Sequence, residues 1–321
     1  MARIRLRDVS LNVEVVGHGP PLVLMHGGPS ADLWTLLPFR RLADRFTMVF
    51  YDHRCNGRST GVPLETMTWD NLTADPEALR EHLGFERWAV LGHSFGGQVA
   101  LEYALRYPER VSRLVLVDTG GDASLAREHA PRILAERGYS PKLVRLVRRF
   151  FSGQVPPNEV QRALLRIGPA YHHRQGLSLV WLMARDLVAG EWRTQLRGEP
   201  LTFAGRVLMP GWSVMDRLRE IVAPTLVIAG RDDFLFPPEH QALLAMGIRD
   251  SRLRIVERAG HNPHSEQPEV VMRAVASFLS ASVIPARGDT DQESGVLSRT
   301  RQPMVRSGAE ARAGAVELTT S

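Results

Sequence analysis

Trp88-Ala-Val-Leu-Gly92-His93-Ser94-Phe95-Gly96-Gly97-Gln98-Val-Ala-Leu-Glu-Tyr103 is the stretch that decides the fold of this 321-residue chain. A short apolar run of strand length meets a Gly-x-Ser-x-Gly turn. A helix-length segment follows, with apolar Val99, Leu101, Tyr103, Ala104 and Leu105. Alone, the five-residue pattern recurs by chance; between a strand and a helix it reads as a nucleophile elbow. Such a turn forces its serine into a sparsely populated backbone conformation. Gly92, Gly96 and Gly97 remove the Cβ atoms that would collide with it. The Ser94 hydroxyl then stands at the C-terminal edge of a sheet, above a helix N-terminus, where developing negative charge is favoured.

Outward from the elbow, short apolar runs alternate with helix-length segments. Strands are expected at Ile4–Leu6, at Leu11–Val16 as an edge, and at Leu22–Met25, Phe46–Tyr51, Leu114–Val117, Thr225–Ala229 and Leu253–Val256. Helices are expected over Asn71–Leu83, with Asp70 as N-cap, and over Glu269–Leu279. The alternation predicts an α/β fold: a doubly wound, mostly parallel sheet covered on both faces. From about residue 121 to 214 the strand pattern stops, and the stretch is helical in character, rich in Arg, Leu, Trp and His. Because it lies between two strands of one sheet, it reads as an inserted helical cap on a core made of residues 1–120 and 215–282. Residues 283–321 are polar and lack aromatics, the composition of a disordered tail.

Composition narrows the class. A 44% hydrophobic content supports a sizeable core, and 23% charged residues is ordinary for a soluble globular protein. The formal charge of +5 raises nucleic acid as a partner, but the arginines are spread along the chain with no long basic run and no stacking-aromatic pattern. Neither nucleic acid nor a membrane is therefore expected as partner. The one cysteine, Cys55, forms no disulfide within the chain, and no stretch has the roughly 20 apolar residues of a membrane helix. Without an apolar signal core behind its first arginines, the chain reads as cytoplasmic. No metal-ligand spacing, P-loop or dinucleotide fingerprint is present, so no cofactor is expected.

A serine hydroxyl needs a base to become nucleophilic, and the base needs an orienting carboxylate. Strand Thr225–Ala229 runs into Gly230-Arg231-Asp232-Asp233-Phe234, and strand Leu253–Val256 into Ala259-Gly260-His261-Asn262. The order Ser, Asp, His, each just past a strand end, makes Asp233 the candidate acid and His261 the candidate base. Asp232 and Asp118 are rivals for the acid, and His264 for the base. The backbone N–H of Phe95 and that of Gly28, in the His26-Gly27-Gly28-Pro29 loop, are the candidate oxyanion donors.

The chain resembles the α/β-hydrolase superfamily over roughly residues 5–282. Its first half is similar to the proline iminopeptidase (prolyl aminopeptidase) group. That likeness rests on His26-Gly27-Gly28-Pro29, on Tyr51-Asp52-His53-Arg54-Cys55-Asn56-Gly57-Arg58-Ser59, on Thr68-Trp69-Asp70-Asn71-Leu72-Thr73-Ala74-Asp75, and on Leu79-Arg80-Glu81-His82-Leu83-Gly84. It implies a peptidase that grips its substrate's free amine with cap-side carboxylates. The chain departs from the group at Ser30 and Cys55, where glycine is usual, in its Gly-His-Ser-Phe-Gly-Gly elbow, and at Phe234, where one related pattern has glutamate.

Asp186, Glu191, Glu199 and Asp216 are the available partners for an amine, which needs a carboxylate when it leaves water. Trp181, Met183, Trp192, Phe203, Met209 and Trp212 suggest an apolar pocket, with Phe234, Trp181 and Trp212 as the candidate substrate contacts. The expected activity is hydrolysis of an ester, amide or related acyl bond in a small, partly apolar molecule or short peptide, through an acyl-enzyme on Ser94. Release of N-terminal proline is one alternative. The other is a non-catalytic ligand-binding or biosynthetic auxiliary protein on the same fold.

Overall fold

The computed structural model describes residues 1–173 and 195–281, and the backbone of 318–320. Among the described residues, nine strands form one sheet: β1 (Ala2–Leu6), β2 (Val9–Val16), β3 (Pro21–Met25), β4 (Thr47–Tyr51), β5 (Trp88–His93), β6 (Val111–Val117), β7 (Thr225–Gly230), β8 (Ser251–Val256) and β9 (Leu318–Thr320). Their order across the sheet is β1-β2-β4-β3-β5-β6-β7-β8-β9. The pairs β1–β2 and β2–β4 are antiparallel, and the remaining neighbours are parallel. β2 therefore lies inside the sheet and β1 is the edge, a correction to the edge expected at Leu11–Val16.

Side chains along β3 show why the central strands read as unbroken apolar runs. Val23 and Met25 enter the core on one face, and Leu22 and Leu24 enter the core on the other. The first face is covered by α1 (Trp69–His82), α2 (Phe95–Arg106) and α7 (Pro238–Gly247), which bury Leu72, Val99, Tyr103 and Leu244 there. The second is covered by the 3-10 segment Leu33–Leu42 and by α8 (Pro268–Ser280), through Leu36, Phe39, Val271 and Phe278. α1 begins two residues before the expected start. Its N-cap is Thr68, whose hydroxyl accepts from the Asn71 amide at 3.2 Å, and Asp70 falls inside the first turn.

Between β6 and β7 the chain forms α3 (Ala123–Glu136), α4 (Pro141–Phe151), α5 (Val160–Ile167) and α6 (Gly198–Phe203). Ser140 caps α4 through the Leu143 amide at 3.3 Å, and Pro141 takes the first helical position, where its missing N–H costs nothing. The segment leaves and rejoins the core at one place: Val214 N–H donates to the Gly121 carbonyl at 2.8 Å and Ala123 N–H to the Trp212 carbonyl at 3.1 Å. Its apolar interior joins Leu134, Val147, Phe150 and Ile167 to Phe234, Leu235 and Phe236 from the loop after β7.

The tail expected to be disordered lies outside the described residues except at Leu318–Thr320, which run parallel to β8 as β9. Among the described residues, no helix is long and apolar enough to cross a membrane.

Candidate active site

Ser94 sits at φ 53° and ψ −122°, a conformation that side-chain-bearing residues rarely adopt. The strain is held by bonds on both sides. The Ser94 amide donates to the Val117 carbonyl at 3.0 Å, and the Ser94 carbonyl accepts from the Thr119 hydroxyl at 2.7 Å. At position 96 only glycine fits, because a Cβ there would lie 2.0 Å from the Met25 carbonyl oxygen. α2 is thereby packed hard against the end of β3, and the chain leaving β3 at His26 passes directly over the elbow.

That chain is the His26–Ala31 loop. Gly28 adopts φ +54°, and its carbonyl accepts from the Ser30 and Ala31 amides at 2.7 and 3.1 Å, so the loop doubles back above Ser94. His26 is fully buried. Its Nε2 accepts from the His53 amide at 3.0 Å and its Nδ1–H donates to the Gly27 carbonyl at 2.9 Å, which fixes a neutral tautomer. Asp32 closes the loop: its carboxylate accepts from the Trp34 amide at 3.2 Å and the Gln195 amide at 2.7 Å, and burial pushes its pKa up to about 6.

The loops after β7 and β8 bring Asp233 and His261 to the same edge. Asp233 is fully buried. It accepts from the Leu235 amide at 2.8 Å on one oxygen and from Nδ1–H of His261 at 2.9 Å on the other. Nε2 of His261 accepts from the Ser94 hydroxyl at 2.9 Å. The two rival acids have other partners. Asp232 is half-exposed and pairs with Nδ1 of His173 at 2.6 Å. Asp118 accepts from the Gly230 amide at 2.7 Å; burial first, then the charge of Asp233, pushes its carboxyl well above the usual carboxylate range. His264 points away from Ser94, and its Nε2–H donates to the Thr35 carbonyl at 3.0 Å.

Around this trio lies a cavity of about 650 Å³, bounded by the elbow, the His26–Ala31 loop and helices α3 to α6. Ser94, Phe95, Gly28, His261 and Met209 line it. Phe234 does not: it is fully buried among the helices between β6 and β7, edge-on to the Tyr171 ring at 5.3 Å, while its neighbours Leu235 and Phe236 reach the cavity. Trp212 does not either. It stacks on Trp69 at 4.7 Å and donates to the Glu102 carboxylate at 2.8 Å. Phe203 packs into the same core, and Glu199 and Asp216 are exposed away from the cavity. Trp181, Met183, Asp186, Glu191 and Trp192 lie outside the described residues.

Two residues not singled out from the sequence matter here. The Tyr171 carbonyl accepts from the His261 amide at 2.7 Å, a link between distant segments that no local pattern announces. Arg127 lines the cavity beside Ala123 and Ala126. That i, i+3, i+4 spacing on α3 is the signal by which it was findable.

A family model described as "alpha/beta hydrolase fold" matches residues 20–268. The chain belongs to the α/β-hydrolase fold family. It is accordingly an enzyme of the hydrolase kind. The chain is similar to the 2-hydroxy-6-oxo-6-phenylhexa-2,4-dienoate hydrolase of Comamonas testosteroni, 27% identical over 85% of this chain and 92% of that protein. Among solved structures, a thermophilic esterase from Thermogutta terrifontis is 27% identical with a TM-score of 0.67, covering 87% of this chain and 98% of its own. The proline iminopeptidase of Mycobacterium smegmatis is 25% identical, also at 0.67, covering 87% and 97%.

Proposed function

We propose that this hydrolase cleaves an ester or related acyl bond of a small, largely apolar molecule through an acyl-enzyme on Ser94. The reading rests on the relay from Asp233 through His261 to Ser94, whose two links each measure 2.9 Å. Nε2 of His261 takes the hydroxyl proton as Oγ attacks the carbonyl carbon. The amides of Phe95 and Gly28 receive the oxyanion, aided by the N-terminus of α2. His261 returns the proton to the leaving group, then activates water to release the acid. Asp233 holds the imidazole tautomer throughout.

Release of N-terminal proline, favoured by the likeness to the Mycobacterium smegmatis enzyme, needs a carboxylate for the amine. Among the described residues, no Asp or Glu lines the cavity.

A fluorophosphonate probe tests the reading. Labelling of Ser94 that disappears in Ser94→Ala, with turnover of short nitrophenyl esters above that of proline nitroanilide, is the expected result. Folded protein that takes no label overturns it in favour of a binding role, and preference for the anilide favours the peptidase.

A further inference from the structure

The helices over the cavity carry many arginines, and nearly all face water. Arg132, Arg145, Arg148, Arg149, Arg162 and Arg166 are exposed on α3, α4 and α5. Arg127 differs. It is half-buried, and with Ala123 and Ala126 it forms the face of α3 that looks into the cavity. Its two neighbours on that face are small. Among the described residues, Arg127 forms no ion pair or hydrogen bond, and it is the one side chain of fixed charge on the cavity wall.

The wall around it is apolar, with Phe150, Phe151, Leu164, Leu201 and Phe236 among its members. An apolar substrate that fills such a space strips water from the guanidinium and returns nothing for it. A carboxylate returns two charge-assisted hydrogen bonds in the planar geometry that arginine presents. A cationic amine placed there meets repulsion instead.

We infer that Arg127 is a specificity-determining residue, and that the substrates are apolar acyl compounds bearing a carboxylate, which Arg127 binds while the acyl carbon sits at Ser94. This rests on the acyl-enzyme reading above. It adds a charge requirement that the relay of Ser94, His261 and Asp233 does not contain.

Mono-p-nitrophenyl esters of unbranched dicarboxylic acids, compared with neutral p-nitrophenyl esters of equal chain length, test the inference. At one or more chain lengths the half-ester should be preferred in kcat/KM. Arg127→Gln should then lower kcat/KM for that half-ester about 10- to 100-fold, the worth of a charge-assisted contact, with the neutral ester unchanged. Arg127→Lys should keep part of the preference. Absence of any half-ester preference, or an equal loss on both ester types in Arg127→Gln, overturns the inference. Fluorophosphonate labelling of Ser94 separates the two levels. If Ser94 labels and half-esters are not preferred, only the role of Arg127 falls; if Ser94 does not label, the acyl-enzyme reading falls and this inference with it.

Discussion

The amide of His261 is bonded to the carbonyl of Tyr171 at 2.7 Å, so the loop carrying the imidazole hangs from the turn after α5 as well as from β8. The backbone of His261 is held on its other side too, because Nε2–H of His93 donates to the His261 carbonyl at 2.9 Å. Asp233 orients the ring, but these two backbone contacts set where the ring stands relative to Ser94.

Gly260 tests that arrangement. A Cβ at this position would lie 2.3 Å from the Tyr171 carbonyl oxygen, so Gly260→Ala must shift the His261 loop. Displacing a catalytic group by about 1 Å costs on the order of 100-fold in rate. The expected outcome is a loss of that size in kcat and in the rate of fluorophosphonate labelling, with far-ultraviolet circular dichroism unchanged. Undiminished labelling would show that the contact does not position the base.

Asp118 holds its proton to higher pH in the folded protein than in the unfolded chain, because burial and the neighbouring charge of Asp233 raise its carboxyl well above the usual range. The unfolded chain releases that proton near the ordinary value of about 3.9. From there upward the native state binds more protons than the unfolded one, so this group takes stability away as pH rises. Asp118→Asn keeps an acceptor for the Gly230 amide and removes the titration. Urea unfolding should find the variant more stable than the parent at pH 8, with the gain shrinking toward pH 4.

His264 works in the opposite direction. Burial pushes its pKa from 6.5 down to about 4, and burial likewise lowers those of His26, His53 and His93. The unfolded chain binds these protons first, so stability is fully present above about pH 6.5 and declines as pH falls toward the folded values. The His264 shift alone corresponds to about 3 kcal/mol across that window. His264→Gln, which keeps a donor for the Thr35 carbonyl, should flatten the acid side of the stability curve measured between pH 7 and 4. A curve of unchanged slope would remove His264 as its cause.

Trp212 is the structural counterpart to Arg127. Its ring stacks on Trp69, and its indole N–H serves the buried Glu102 carboxylate, which also pairs with Arg106. Trp212→Phe keeps the stack and strands one carboxylate oxygen, at a cost of about 1–3 kcal/mol in unfolding free energy. KM and kcat for a short ester should stay at the parental values. A raised KM would return Trp212 to the substrate's side.

Much of the fold is legible before any tertiary contact is known. β3, β5 and β6 read as unbroken apolar runs because both their faces are buried, and the glycines flanking Ser94 mark a turn in which a Cβ has no room. Other features escaped. Asp70 and Thr68 are both good N-caps by residue type, and the phase of the helix, set by packing Leu72 and Leu79 on the sheet, chose Thr68. Phe234 and Trp212 were reasonable pocket residues by composition alone. Aromatic rings serve cores and pockets equally well, and only the partners around a ring distinguish the two.

The sequence by itself determined the strand–turn–helix at Ser94, the alternation that makes a doubly wound sheet, and the loops that carry Asp233 and His261. These follow from hydrophobic period and from backbone sterics, which act over a few residues. Tertiary structure decided which members of each loop meet. Asp232 and Asp233 are adjacent in the chain, yet one pairs with His173 at the surface and the other with His261 in the interior. Successive side chains leave the backbone in different directions, and what each one meets depends on segments folded in from far along the sequence. Arg127 faces the cavity, while the other arginines of α3, α4 and α5 face water, for the same reason.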